Sequence, residues 1–304
     1  MHVVVTGGTG FIGRALCASL FRDGHRVTIL TRHAREASQL LGAIVTAVEW
    51  NGREAGAWEK SLEGADAVIN LAGAPIADSR WTDARKLLLT DSRVLTTRLL
   101  VEAISRCASK PRTLISASGI GYYGASDDRE LDEGAARGQG FLADLSIAWE
   151  AEALRAAESG ARVVLLRTGM VLEQDGGALP KMLLPFRLFV GGPIMPGTQW
   201  VSWIHRRDHI GMIHWALMTS SVSGPLNAVA PGAVTMNQFC EVLGGVLHRP
   251  SWLPVPGLAL RVALGELGTL MTTGQRVNPA KALSGGYVFH YPTLEPALRA
   301  ILTK

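Results

Sequence analysis

An open, doubly wound α/β sheet with a smaller, mostly helical C-terminal lobe is the fold this sequence predicts. Three observations lead to it. Short β-branched runs alternate with apolar-periodic segments from the first residues onward. The first alternation carries glycines at positions 7, 10 and 13 in its turn. The chain has 304 residues, 47% hydrophobic and 18% charged, which is apolar enough for a large buried core. The 34 glycines follow no three-residue period and form no linker, so collagen-like and low-complexity readings fail.

Met1 to Thr6 reads as a strand through Val3, Val4 and Val5, and Phe11 to Arg22 as a helix ended by Asp23-Gly24. The unit then repeats. Strands are expected at Val27–Leu30, Ile44–Glu49, Ala67–Leu71, Thr113–Ala117 and Arg162–Arg167, with helices at Ala34–Leu41, Trp58–Leu62, Trp81–Cys107 and Leu142–Ser159. In the last of these Leu142, Leu145, Trp149 and Ala153 share one face. Such alternation with short connections implies parallel strands and crossover helices.

After Val171 the texture becomes rich in Gly, Pro and Trp, with the basic-apolar stretch Lys181–Val190 inside it. The expected organisation is a nucleotide-binding domain over residues 1–175, rejoined by 201–230. Residues 176–200 and 231–304 would form a lobe closing over the strands' C-terminal ends. Val201–Ile204, a helix at Asp208–Met218 and a strand at Leu226–Val229 are read as returning to the sheet. Helices at Met236–Leu247, Leu258–Leu264 and Leu294–Leu302 belong to the lobe.

Thirty basic and 26 acidic residues give a net charge of +4 without blocks of like charge, so no nucleic-acid or membrane partner is expected. Cys17, Cys107 and Cys240 are far apart and lack CxxC spacing, so neither a disulfide framework nor a metal site is expected. Three separated thiols, with no signal peptide and no membrane-spanning stretch, point to a cytoplasmic protein.

The turn Thr6-Gly-Gly-Thr-Gly-Phe-Ile-Gly13 lies between the first strand and the first helix. Its glycines suit a tight turn, a close approach of backbone to a pyrophosphate, and helix–strand packing. The helix N-terminus offers N–H donors and a positive dipole end. Nicotinamide cofactor type is set at the end of the second strand, where an acid would hold a ribose 2'-hydroxyl and an Arg would suit a 2'-phosphate. Leu30-Thr-Arg-His33 places Arg32 there, 19 residues past Gly13, with no acid at the strand end, which indicates NADP.

With TGGTGFIG at 6–13, DAVINLAG at 66–73 and SASGIGYYG at 116–124, the chain resembles the extended or atypical short-chain dehydrogenase/reductases of the NAD-dependent epimerase/dehydratase superfamily. Arg167-Thr-Gly-Met-Val-Leu, the run at 185–208, and GQRVNPAKAL to YPTLEPAL at 274–298 resemble the subgroup known only as epimerase family proteins, which ends in a small domain of uncharacterised role. The resemblance implies a cofactor site at Gly7, Thr9, Gly10, Phe11, Ile12, Gly13, Thr31 and Arg32, continued by Leu71, Ala72 and Gly73. It adds Arg93, Ser116 and Val171, and a contact from Asn51 weaker than the Asp usual there.

This superfamily normally uses a Tyr and a Lys four residues later, one helical turn apart, the Lys lowering the Tyr pKa. Four residues after Tyr122, Tyr123, Tyr287 and Tyr291 stand Ser126, Asp127, Tyr291 and Glu295, and the chain has six lysines, none in that relation. The remaining catalytic candidates are Ser118, Tyr122 and Tyr123 after the fifth strand, each with packing as the alternative. Asp144 is equally readable as an exposed first-turn acid. Arg187, Gln199, Trp203 and His205 are the substrate-side candidates, with His205 and Asp208 as a conceivable proton-transfer pair. The expected function is an NADP(H)-dependent oxidoreductase or epimerase without the standard dyad, acting on a small molecule. The alternative is a non-catalytic NADP(H) sensor or regulatory protein.

Overall fold

The computed structural model describes residues 1–303. Seven parallel strands form its centre: β1 (His2–Thr6), β2 (Arg26–Thr31), β3 (Thr46–Glu49), β4 (Ala67–Asn70), β5 (Thr113–Gly119), β6 (Arg162–Thr168) and β7 (Gly224–Ala228). Their order is β3-β2-β1-β4-β5-β6-β7, a Rossmann-type sheet in which the direction of strand addition reverses between β1 and β4. At that switch point the connections leave to opposite faces and open a crevice at the strands' C-terminal ends.

Because side chains alternate along a strand, β1 feeds two cores. Val3 and Val5 join Ile29, Ile69 and Val164 under α1 (Phe11–Arg22), α2 (Ala34–Leu41) and a helix at Arg206–Met218. Val4 joins Leu30, Val68, Leu114 and Val163 on the other face. That face is covered by Leu100, Val101 and Ile104 of a helix at Val94–Arg106 and by Ala153 of the helix at Phe141–Leu154. The single helix expected over 81–107 is two, α3 (Asp83–Asp91) and α4 (Val94–Arg106), broken at Ser92–Arg93. The break turns Arg93 inward, where it is buried. Continuing in order, α5 is Phe141–Leu154, α6 Leu179–Arg187 and α7 Arg206–Met218.

Beyond β6 the chain leaves the central sheet at once. Met170–Glu173 pairs with Trp203–His205 and with Gly176–Gly177 in a separate small sheet. The Val201–Ile204 segment, expected to rejoin the central sheet, pairs in this small sheet and straddles both cores, Ile204 packing with Val3 and Val5 and Trp203 in the lobe; α7 and β7 do rejoin the central sheet's layers. The lobe has its own core, in which Leu183 and Phe186 of α6 meet Trp203, Phe239 and Leu243 of α8 (Met236–Leu247), and Leu298 of a helix at Leu294–Leu302. Two short helices, α9 (Gly257–Leu264) and α10 (Glu266–Thr272), pack on each other at its end.

Candidate functional site

The β1–α1 turn is shaped by what a side chain there would strike. Gly7 has φ +68°, and a Cβ on it would come 2.7 Å from the Leu71 carbonyl oxygen. One on Gly8 would come 2.6 Å from Ile29, and one on Gly13 would overlap the Gly7 carbonyl. Gly10 is different: it is exposed, and the nearest atom to its would-be Cβ is the Gly7 oxygen at 3.2 Å. A Cβ there crowds one backbone oxygen and otherwise faces the crevice, so the need for glycine at that position comes largely from the crevice side. No side chain caps α1 and no acid lies in its first turn, leaving its positive end open.

Opposite this turn, the Leu71–Gly73 segment is pinned by Thr6, whose hydroxyl accepts the backbone N–H groups of Leu71 and Ala72 at 3.2 and 3.1 Å. The Thr6 hydroxyl in turn donates to Asn70, which donates to Thr97 and to Ser116. Ser116 has no exposed surface, so it anchors the floor beneath the crevice. Arg93 sits against Gly73, where a Cβ would stand 3.0 Å from its guanidinium carbon. It donates to the carbonyls of Ala74 and Leu89 and stacks over Trp149. Among the described residues no carboxylate pairs with it, and burial pulls its pKa down to about 10. A buried cation without an anion, beside an open helix N-terminus, makes the crevice a place for negative charge.

Arg32 is exposed at the end of β2 beside half-buried Thr31, with no acid on the strand end. Asn51 is exposed, and its amide oxygen accepts the N–H groups of Arg53 and Glu54, so it is spent on its own loop. The Phe11 ring is covered by Gly176 and Gly177, whose close approach leaves no room for a Cβ, and by the Arg206 guanidinium at 5.1 Å. Val171 is buried within the strand that pairs with those glycines, Met170–Glu173.

The three catalytic candidates lie together at the end of β5, in a buried ionic network. Ser118 donates to Glu150 Oε1 at 2.6 Å, and Arg167 holds the same carboxylate with Nε and Nη2, both at 2.8 Å. Arg167 Nη1 donates to the Tyr123 hydroxyl, which donates to Asn227 at 2.7 Å. Its guanidinium lies 3.4 Å from the Tyr122 ring centroid. Burial lowers the Arg167 pKa, but hydrogen bonding and charge from Glu150 more than reverse it, so the net shift is upward. Burial also pushes the Tyr123 phenol up, against the pull of Arg167. Ser118 and Tyr123 thus spend their hydroxyl protons within the protein, and Tyr122 serves as a stacking plate.

Glu150 and Arg167 escape a search confined to proton donors. The signal for them was present: Leu142, Ser146 and Glu150 follow one face of α5 at intervals of four, Arg167 follows the apolar run at 163–166, and an acid and a base in such settings must pair if buried. Leu142 packs on Gly121, and with Trp81, Phe141, Ile76 and Ala117 it makes a half-buried apolar wall. Asp144 is exposed in the first turn of α5.

The substrate-side candidates do not converge. Arg187 is exposed and lines an open cleft of about 370 Å³ with Gln174, Asp175, Pro180 and Leu183. Gln199 is buried, its amide donating to the Ile194 and Met271 carbonyls. Trp203 is fully buried in the lobe core with its indole N–H on the Gly232 carbonyl. His205 caps α7 by accepting the Arg207 N–H and stacks on Tyr291. The Asp208 carboxylate receives the N–H groups of His290 and Tyr291 at 2.8 Å each. His205 and Asp208 are therefore each engaged elsewhere, fastening the C-terminal segment to α7.

The model of the NAD dependent epimerase/dehydratase family matches residues 3–228, spanning the whole central sheet and the glycine turn. The chain belongs to that family. A Domain of unknown function (DUF1731) matches residues 255–301. The chain is 42% identical to the epimerase family protein SDR39U1 homolog, chloroplastic, of Arabidopsis thaliana, over 99% of this chain and 87% of that one. It is 38% identical to epimerase family protein SDR39U1 of Mus musculus, over 99% and 100%. Human epimerase family protein SDR39U1 (isoform 2), solved with NADPH, superposes with a TM-score of 0.90 at 36% identity, covering 100% of each chain. UDP-glucuronic acid 4-epimerase from Bacillus cereus shares the fold, with a TM-score of 0.80 at 17% identity.

Proposed function

We propose that this epimerase-family chain binds NADP(H) and serves as an oxidoreductase or epimerase of short-chain-reductase type that works without the Tyr–Lys dyad. The observation that carries the cofactor choice is Arg32, exposed and unopposed by any acid at the end of β2. The crevice fits the rest of a dinucleotide. Gly7, Gly8 and Gly13 let the turn pack tightly against Leu71, Ile29 and itself, Gly10 leaves the crevice side without a side chain, and the α1 N-terminus and Arg93 supply positive potential for a pyrophosphate. The human relative solved with NADPH supports the same reading.

When bound, the nicotinamide supplies or accepts hydride. The chain's own part is binding, orientation and exclusion of water. Thr31 and Arg32 take the 2'-phosphate end, and the Thr6–Asn70–Ser116 relay holds the Leu71–Gly73 wall in place. Trp81, Phe141 and Leu142 present apolar surface beside the β5 end. The Ser118 hydroxyl and the Tyr123 phenol are engaged within the protein, so a proton required by the reaction comes from the half-buried Tyr122, from water or from the substrate itself. The same feature favours the second reading, a sensor that keeps the cofactor and performs no turnover.

The test is nucleotide titration of the parent and of Arg32→Ala, followed by NADPH oxidation with aldehydes, ketones, quinones and nucleotide sugars. Loss of a charge-assisted contact on an exposed side chain is worth about 1–2 kcal/mol, or roughly 5- to 30-fold in Kd for NADPH with little change for NADH. Equal loss for both nucleotides would refute the 2'-phosphate assignment. Tight binding with no turnover across the panel would refute the enzyme and leave the sensor.

A further inference from the structure

The lobe ends in apolar surface that the nucleotide site does not use. Along α6 and the turn after it, Leu184, Leu188, Phe189 and Val190 are exposed. The loop at 249–257 runs beside that turn. Trp252 donates its indole N–H to the Phe189 carbonyl, and the Trp252 and Leu253 N–H groups meet the Gly191 carbonyl. Ile194 pairs with Val255, and the chain then enters α9. Trp252 is 63% exposed, Leu258 75% and Val262 71%, and no residue of α9 is buried. A contiguous apolar surface of this kind marks an interaction site.

Charge says what the partner is. Residues 179–207 and 242–265 contain no Asp or Glu, yet they hold Lys181, Arg187, Arg206, Arg207, Arg249 and Arg261. Arg206 is paired with Glu173 and Asp175, and Lys181 lies 3.9 Å from Asp78. Arg187, Arg249 and Arg261 make no ion pair among the described residues, and Arg249 lies 4.4 Å over the Phe189 ring. A second copy of the chain on this surface would set arginines against arginines. A peptide partner needs a groove, whereas α9, packed on α10 along one side, presents Leu258 and Val262 outward on the other. Protruding Leu, Val, Phe and Trp among unpaired arginines match a bilayer interface: the apolar groups enter the acyl boundary and the cations meet phosphates.

We propose that the end of the lobe formed by residues 184–190, 252–253 and α9 docks peripherally on an anionic lipid surface. The docking is reversible, since α9 is far too short to span a bilayer. It places the lobe that borders the crevice against the membrane: α10 is tied to the nucleotide domain by Glu266 and Lys86, at 2.6 Å.

The test is co-sedimentation of the full chain with vesicles of phosphatidylcholine alone or mixed with phosphatidylglycerol, with Trp fluorescence as a second readout. Binding is expected to the mixed vesicles, weakening with added salt, together with a blue shift of the emission. Leu258→Glu combined with Val262→Glu changes only exposed side chains and should reduce vesicle affinity at least ten-fold while NADPH binding persists. Arg249→Ala should cost about five-fold. Failure of the parent to sediment with phosphatidylglycerol vesicles at low salt would overturn the proposal. So would vesicle binding unchanged in the double Glu variant, or a dimer in solution that the double variant dissociates.

Discussion

Replacing Glu150 with Gln separates structural from catalytic readings of the β5 end. The substitution keeps volume and removes the charge that Arg167 holds through two hydrogen bonds of 2.8 Å, with both side chains almost fully buried. Arg167 is left as a buried cation facing a neutral amide, and one amide nitrogen is turned toward a donor, either Ser118 or Arg167 itself. Breaking one side of a buried pair costs about 3–5 kcal/mol. At about 2–4 °C per kcal/mol for a chain of this size, the expected fall in Tm is on the order of 10 °C. Thermal unfolding followed by circular dichroism at neutral pH measures it. Glu150→Leu combined with Arg167→Met should recover much of the loss, because an apolar pair of similar volume leaves no orphan charge. A Tm within 2 °C of the parent for Glu150→Gln would refute the view that this network holds the β5–β6 edge.

Three further outcomes follow from the same geometry. Gly10→Ala should leave Tm within a few degrees and weaken NADPH binding, whereas Gly13→Ala should destabilise the fold by about 1–3 kcal/mol or more, because its Cβ overlaps the Gly7 carbonyl; urea unfolding beside NADPH titration distinguishes them. Tyr123→Phe removes a buried hydrogen bond to Asn227 and the acceptor of one Arg167 N–H, and should lower stability by about 1–3 kcal/mol with NADPH affinity unchanged, checked by the same pair of measurements. Burial holds the fully enclosed His209 down at about 4, so it is neutral in the folded protein where the unfolded chain, at 6.5, takes up a proton. Its contribution is complete above pH 6.5 and is lost as pH falls from there to about 4, for a total of about 3 kcal/mol. His209→Gln should flatten that part of the stability profile, and urea midpoints at pH 7 and 4.5 that shift in parallel for parent and variant would refute it.

Much of the nucleotide domain was legible because its signals are local. Three valines in His2–Thr6, a glycine turn and an apolar-periodic helix each depend on neighbours within a few residues, and repeating them forces parallel strands. Arg32 was legible for the same reason, since its role depends on counting from Gly13 along one βαβ unit. The absence of YxxxK was settled by four tyrosine positions alone.

Pairings across the chain were decided elsewhere. Trp203–His205 has strand character, but only tertiary contact assigns it to Met170–Glu173 and away from the central sheet. Ser118 and Tyr123 offer hydroxyls in the sequence; that both are consumed by Glu150, Arg167 and Asn227, up to 104 residues away, depends on α5, β6 and β7 gathering around the end of β5. The acid-free stretches at 179–207 and 242–265 vanish into a net charge of +4 until the fold lays them side by side. The sequence by itself determined which cofactor class the turn can hold and which catalytic dyad is missing, because both rest on spacing along one strand–helix unit. The tertiary structure alone decided which polar groups remain available and which charges share a surface, because burial and electrostatics act through space between segments that no short-range pattern connects.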